Sequence, residues 1–174
     1  VAYAGAVAGA LAAVALAVVL ALPSGTPGSP SVSDAAALAM RGPVQAAPVP
    51  DPTNPGARLR QNVGDVYFPN WTKSFHWRAA GARTDDLDGR KAVTVYYDWK
   101  GERVAYTIVG APALAQPAAH QTWLNGTELR TLTDDGRLVV TWRRDGSTCV
   151  LSARGVKAAE LQKLAAWKVP ADAH

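Results

Sequence analysis

An α+β fold, an antiparallel β-sheet of about five or six strands with one covering C-terminal helix, is what the sequence predicts. Three observations carry it. Lys91 to Trp99 alternates strictly: Val93, Val95, Tyr97 and Trp99 share one face, while Ala92, Thr94, Tyr96 and Asp98 share the other. Lys100-Gly101, Asn125-Gly126, Asp135-Gly136 and Asp145-Gly146 punctuate the second half as tight-turn dipeptides. After Gly155 the apolar period lengthens from two to about 3.6, the spacing of a helix with one buried side.

In chain order, residues 1–22 come first. Val1 to Leu22 carries no charge, includes ten Ala and two Gly, and ends at Pro23. At about 1.5 Å per residue it is long enough to cross a hydrocarbon core of roughly 30 Å, so a transmembrane helix is expected. A truncated secretory signal segment and a buried Ala-rich helix of a soluble body are the competing readings. A signal peptide would begin with a basic stretch, and none precedes the apolar run. Gly5 and Gly9 have the spacing that lets a second helix approach closely, an unspecific signal in so Ala-rich a segment. The first residue is Val rather than Met, so further residues are expected upstream, among them the charges that set orientation.

Residues 23–57 hold eight of the twelve prolines, and only Asp34, Arg41 and Asp51 are charged. Such a composition predicts an extended Pro/Ala/Gly-rich linker without a core of its own. Within it, Asp34 to Met40 reads as a helix of about two turns with Ser33 placed to cap it. A helix that short is marginal alone, and the Ala-rich composition is explanation enough for the pattern.

At Arg58 the composition changes, and Trp71, Trp77, Trp99, Trp123, Trp142 and Trp167 all lie beyond it. Residues 58–169 are therefore the expected folded domain. Val66 to Phe68 leads into a turn at Pro69-Asn70, and a strand runs from Phe75 towards Thr84. Asp85 to Gly89 reads as a turn. Lys91 to Trp99 and Arg103 to Val109 form a hairpin, with Val104, Tyr106 and Ile108 in phase. Gly110 to Gln121 is a loop, with Trp123-Leu124 positioned to plug it against the core. Glu128 to Thr133 is a short strand with Leu129 and Leu132 inward. Arg137 to Arg144, with Leu138, Val140 and Trp142 on one face, and Ser147 to Ser152 complete a meander joined by Asp-Gly turns. Val156, Ala158, Leu161, Leu164, Ala165 and Trp167 give the last helix its apolar side. Pro170 stops it, leaving 170–174 as a flexible tail.

The residue inventory argues against catalysis. His76, His120 and His174 are scattered over a strand, a loop and the tail, with no zinc-type spacing. Cys149 is the single cysteine, so the sequence holds neither an internal disulfide nor a thiolate cluster. Val150 and Leu151 mark Cys149 as a small buried hydrophobe in a strand. Asp85, Asp86 and Asp88 lack the donor spacing of a calcium loop. Ser147, His120 and Asp145 supply the residue types of a triad, but no nucleophile elbow supports them. No catalytic, cofactor-binding or metal site is assigned, and no enzyme is expected. From Arg58 to Lys168 the basic residues number 17 against 11 acidic. They are spread along the chain, which makes a weak nucleic-acid footprint and is equally compatible with a face lying near anionic lipid. The tryptophans read first as core. An aromatic-lined recognition surface would look the same in one dimension, with Tyr96 and Tyr106 on opposite faces of the sheet.

The apolar span, the Pro-rich linker, Asp65-Val-Tyr-Phe-Pro-Asn-Trp71, Gly89-Arg-Lys-Ala-Val-Thr-Val-Tyr-Tyr97, Arg137-Leu-Val-Val-Thr-Trp142, and Cys149-Val-Leu-Ser152 leading to Glu160-Leu-Gln-Lys-Leu-Ala-Ala-Trp167 together resemble one family. It is the extracytoplasmic region of actinobacterial-type transmembrane anti-sigma factors. The resemblance implies a single-pass protein of the cell membrane with its C-terminal domain outside the cytoplasm. That domain would transmit an envelope signal to a cytoplasmic sigma-binding domain upstream, often one with a His-x-x-x-Cys-x-x-Cys zinc motif. Neither sigma-binding nor zinc residues can be carried over, because the motif is not in this sequence. Implied partners are membrane lipid through residues 1–22 and an envelope protein or regulatory protease acting near the linker. A sigma factor would be reached only through the upstream domain, and no direct nucleic-acid contact is implied. The alternative is a membrane-anchored or secreted protein-binding module unrelated to transcription. An enzyme with dispersed residues would instead need a deep polar pocket gathering His76 or His120 with carboxylates.

Overall fold

The computed structural model describes residues 28–168. Its centre is a seven-stranded antiparallel sheet made of two meanders. The first comprises β3 (Arg78–Leu87), β4 (Arg90–Trp99) and β5 (Glu102–Val109), and the second β6 (His120–Leu124), β7 (Thr127–Asp134), β8 (Arg137–Arg144) and β9 (Ser147–Ala153). The spatial order is β3-β4-β5-β9-β8-β7-β6, so the chain leaves β5 in mid-sheet, travels to the far edge, and returns strand by strand to pair β9 with β5. A separate two-stranded sheet holds β1 (Arg58–Val63) and β2 (Val66–Pro69).

Five hairpins close on dipeptides whose residues both have positive φ: Asp88-Gly89, Lys100-Gly101, Asn125-Gly126, Asp135-Gly136 and Asp145-Gly146. This is the type I′ requirement, which Gly meets freely and Asn or Asp meets at low cost. The strand count exceeds expectation because β1 and the edge strand β6 are poorly marked in the sequence, and the other edge strand, β3, is displaced towards its turn. β3 continues through Asp85 and Asp86, and only Asp88-Gly89 is the turn. β6 is a strand rather than part of a loop, and Trp123 stands 64% exposed on it instead of plugging the core. An edge strand buries less of itself, so its sequence need not alternate as sharply.

The two faces of the sheet are covered differently. One carries Val93, Val95, Tyr97, Val104, Tyr106, Ile108, Leu129, Val140, Trp142 and Leu151. It is covered by the small sheet and by α3 (Ala158–Ala165), whose Leu161, Leu164 and Ala165 are buried as the helical period required. The other face is built from smaller groups, with Ala92, Ala105, Val109 and Val150 beside a buried Thr94–Thr107 hydroxyl pair at 2.8 Å.

α1 (Val32–Leu38) covers this second face. Ser31, not Ser33, caps it: the Ser31 hydroxyl accepts from the Asp34 amide, and the Asp34 carboxylate accepts from the Ser31 amide. Composition alone does not explain the helix, since Val32, Ala35, Ala36 and Leu38 are buried against the sheet. Alanines on both sides let the helix backbone lie close to the strands, and this packing stabilises a helix too short to persist alone. The rest of the segment expected as an extended linker passes through a 3₁₀ turn at Ala39–Arg41, runs extended to about Asp51 and turns through 52–57, pinned along the way. Gln45 bridges to Ala82 on the outer edge of β3, Pro50 bridges to Leu59, and Arg60 N–H donates to Val49 O at 2.7 Å. Gly81 is where Pro43 crosses: a Cβ there would meet the Pro43 Cβ at 2.5 Å. An otherwise open strand edge is thus covered by the same chain.

Among the described residues no helix is long and apolar enough to cross a membrane. The span expected at 1–22, the linker's first residues 23–27 and the tail at 170–174 lie outside the described residues.

Candidate functional site

Where the small sheet, the central sheet and α3 meet, a half-open cleft of about 330 Å³ remains. Its inner wall is aromatic. Period two on β5 and β8 puts Tyr106 and Trp142 on the same face, with ring centroids 5.3 Å apart. The third member, Trp71, arrives from the segment after β2. Tyr97 Oη donates to Pro69 O at 2.9 Å, and Asn70 Nδ2 donates to Pro55 O at 2.7 Å. Trp71 then opens the one-turn helix α2 (Thr72–Phe75), accepting from the Phe75 amide at 2.9 Å. So held, its ring stacks near-parallel to Tyr106 at 5.9 Å and tilts against Tyr97 at 4.6 Å. Phe68 meets Tyr106 edge-on at 5.0 Å.

Behind this wall, with almost no accessible surface, Trp71 Nε1, Tyr106 Oη and Trp142 Nε1 have no hydrogen-bond partner among the described residues. The Cys149 thiol neighbours the Tyr106 hydroxyl without making a hydrogen bond of acceptable geometry. Each such group costs on the order of 1–3 kcal/mol relative to a satisfied one. Trp77 supplies the internal contrast, since its Nε1 donates to Glu160 Oε1 at 3.2 Å. Burial also holds the Tyr106 hydroxyl well above the usual tyrosine range, so it stays a neutral donor. The Cys149 thiol is pushed up to about 11 by burial, which keeps it protonated and unreactive.

The mouth is basic. Arg58, Arg144 and Lys168 border it, with Asp65 as the one carboxylate among the described residues that line it. Arg58 is committed to Asp51 at 2.7 Å and lies over the Tyr67 ring at 4.3 Å. Arg144 and Lys168 form no ion pair among the described residues. The Arg144 charge acts on both the Tyr106 hydroxyl and the Cys149 thiol, favouring their ionised forms against the larger effect of burial.

The other residues weighed from the sequence are not brought together. His76 is exposed at the left-handed end of α2, with φ of 65°, rather than within a strand. His120 starts the exposed edge strand β6, three strand spacings or about 14 Å from β9, where Ser147 lies. No triad geometry follows. Asp85 pairs with Arg83 at 2.6 Å and Arg41 at 3.3 Å, and Asp86 Oδ1 accepts from the Gly89 amide at 2.8 Å. Both are structural. No group of three or more His, Cys, Asp or Glu able to hold a metal occurs among the described residues. Tyr96 supports the covering layer of the second face, its hydroxyl donating to Leu38 O at 3.4 Å. Parity set Tyr106 in phase with Val104 and Ile108, and Trp142 with Leu138 and Val140, but the meeting of those two faces comes from the strand order, and the direction of Trp71 from the turn after β2. No family model matches the chain, nor does any curated protein or solved structure.

Proposed function

We propose that the folded body is the sensory, ligand-binding part of a single-pass membrane regulator of the anti-sigma-factor type. Residues 1–22 hold it at the membrane, and an upstream cytoplasmic domain carries the output. One observation supports binding: a half-open cleft of about 330 Å³ with Arg144 and Lys168 at its mouth, neither in an ion pair among the described residues. A concave surface with unneutralised charge at its rim is a natural place for a partner molecule to dock. The membrane and regulatory parts rest on the uncharged opening stretch and on the resemblance set out above. The docked α1 adds a route for the signal, because the segment nearest the membrane is packed on the sheet whose opposite face carries the cleft.

The test is a reporter fused after His174 in intact cells, combined with a transcriptional readout of the full-length regulator. The reporter is expected to be active outside the cytoplasm, and disruption of the α1 contact by Ala35→Asp is expected to change transcription without added signal. A reporter active in the cytoplasm overturns the scheme. Correct topology with no transcriptional response favours the membrane-anchored binding module unrelated to transcription.

A further inference from the structure

We infer that β6 accepts an extended acidic peptide segment, which pairs with its open edge and carries carboxylates into the hollow where Arg143, Arg144 and Lys168 stand. The inference rests on the reading of Arg144 and Lys168 as a docking rim and names what docks there. The two edges of the central sheet differ. Val44 and Gln45 bond the backbone of Ala82 on β3, whereas β6 pairs with β7 and makes no other backbone bond among the described residues. His120 to Leu124 contains no Lys, Asp, Glu or Pro, and its register with β7 has no bulge, so the devices that guard an edge strand are missing. The backbone of another strand completes such an edge.

Charge selects the strand. Beside β6 lies a half-open hollow of about 460 Å³, bordered by Trp123, Glu128, Arg143, Arg144 and Lys168. Glu128 is bound to Arg130 at 3.0 Å, while the three cations form no ion pair among the described residues. Lys168 Nζ stands 3.6 Å from where a Cβ on Gly126 would lie, beside the turn that β6 runs into. A segment paired with β6 therefore carries its acidic end past that turn and into the hollow. Trp123, 64% exposed, offers a flat apolar surface that the side chains of the segment can cover, open to solvent unlike the rings behind the cleft. Other occupants meet only part of this. An anionic lipid surface or free phosphate satisfies the cations and leaves the β6 backbone unpaired. A second copy joined two-fold through β6 brings His120, not a carboxylate, to the cationic end.

The full chain in mild detergent at low salt is titrated with two capped heptapeptides, Glu-Glu-Thr-Val-Thr-Val-Thr and Thr-Val-Thr-Val-Thr-Glu-Glu. Binding is read by calorimetry and by amide hydrogen exchange over residues 120–124. One peptide is expected to bind saturably at roughly 0.1–1 mM and to slow exchange in β6. The first is the antiparallel partner and the second the parallel one, so the tighter reports the strand direction. Replacing both Glu by Lys is expected to weaken binding by more than about tenfold, and Lys168→Gln by about threefold. Lys168 is exposed and forms no ion pair among the described residues, so this variant should melt with the parent. N-methylation of the Thr amides in one peptide and of the Val amides in another is expected to abolish binding of the form whose methyl groups face β6. Binding retained by both forms overturns the inference, as does equal binding of the Lys peptide. It is likewise overturned if nothing binds saturably up to about 10 mM, if inorganic phosphate slows exchange in β6 as the peptide does, or if a dimer protects β6 unaided. A C-terminal reporter found in the cytoplasm would remove the membrane regulator and leave a positive result standing. Equal binding of the Lys peptide would do the reverse.

Discussion

Thr107 and Tyr106 are neighbours on β5, yet they face opposite sides of one sheet and obey opposite rules. On the α1 side every buried hydroxyl that the strands contribute at Thr94, Thr107, Thr141, Thr148 and Ser152 has a partner. The Thr94–Thr107 contact is 2.8 Å, Thr141 donates to Cys149 O at 2.9 Å, and Thr148 accepts from the Leu114 amide at 2.8 Å. On the cleft side the side chains are larger, the packing is aromatic, and three polar atoms go unpartnered. A face assembled from small residues can be sealed by a short helix and a loop. The aromatic face is closed by the small sheet and α3, which leave a half-open cleft where they meet. On the α1 side the unpartnered buried atoms are the Nε of Arg130 and Arg137, whose guanidinium groups make other hydrogen bonds, whereas on the aromatic side they are the sole donors of their side chains, sealed among rings.

The contrast can be broken in several places. Leu151→Ala removes a fully buried side chain from the aromatic face and is expected to cost about 3 kcal/mol in urea unfolding. A loss under about 1 kcal/mol would mean that this face is not the main core. Ala35→Leu overfills the closed face, where Ala35 is 0% exposed, and is expected to cost about 2 kcal/mol by the same measurement. A freely waving linker helix would instead be indifferent to that change or slightly stabilised by it. Thr107→Val strands the Thr94 hydroxyl and is expected to cost about 1–2 kcal/mol. Its neighbour behaves otherwise: Tyr106→Phe deletes a group without a partner and should leave stability unchanged or raise it by up to about 1 kcal/mol. If the two substitutions cost the same, the distinction between faces is lost.

The smallest effect is on pH. Arg83, through its hydrogen bond, holds the Asp85 carboxyl below the usual range, with Arg41 at the end of the α1 layer adding to it. A depressed folded-state pKa stabilises the fold above the unfolded value and is lost as pH falls through the folded one. Stability should therefore decline below about pH 4, with Asp85→Asn flattening that part of the curve. An unchanged acid limb would show that the pair contributes nothing to holding the edge strand.

Much of the sheet was readable in one dimension. Strict alternation placed Val93, Val95 and Tyr97 together, and likewise Val104, Tyr106 and Ile108, because a half-buried strand imposes period two. The Asx-Gly dipeptides marked hairpins because few other residues tolerate two successive positive φ angles. Legibility failed where stability is not local. Nothing in Ala35-Ala36 announces burial, because small residues are apolar everywhere and gain meaning only from what they touch. Trp123 and Trp71 are the same residue type with opposite fates, one exposed on an edge and one sealed beneath the small sheet. The site was half legible for the same reason. Parity assigns Tyr106 and Trp142 each to the apolar side of its own strand, but their meeting across β9, the direction of Trp71 and the lack of a partner for its N–H among the described residues are properties of the assembled molecule.

Tyr106 belongs to the first meander and Trp142 to the second, and the chain between them must traverse the sheet before β9 can zip onto β5. Each meander is a run of local hairpins able to form early, whereas the join between them brings together residues distant in sequence. The contact of the two rings, 5.3 Å between centroids, therefore acts as a clasp on the slowest seam in the architecture, tying the cohesion of two halves to one pair of side chains.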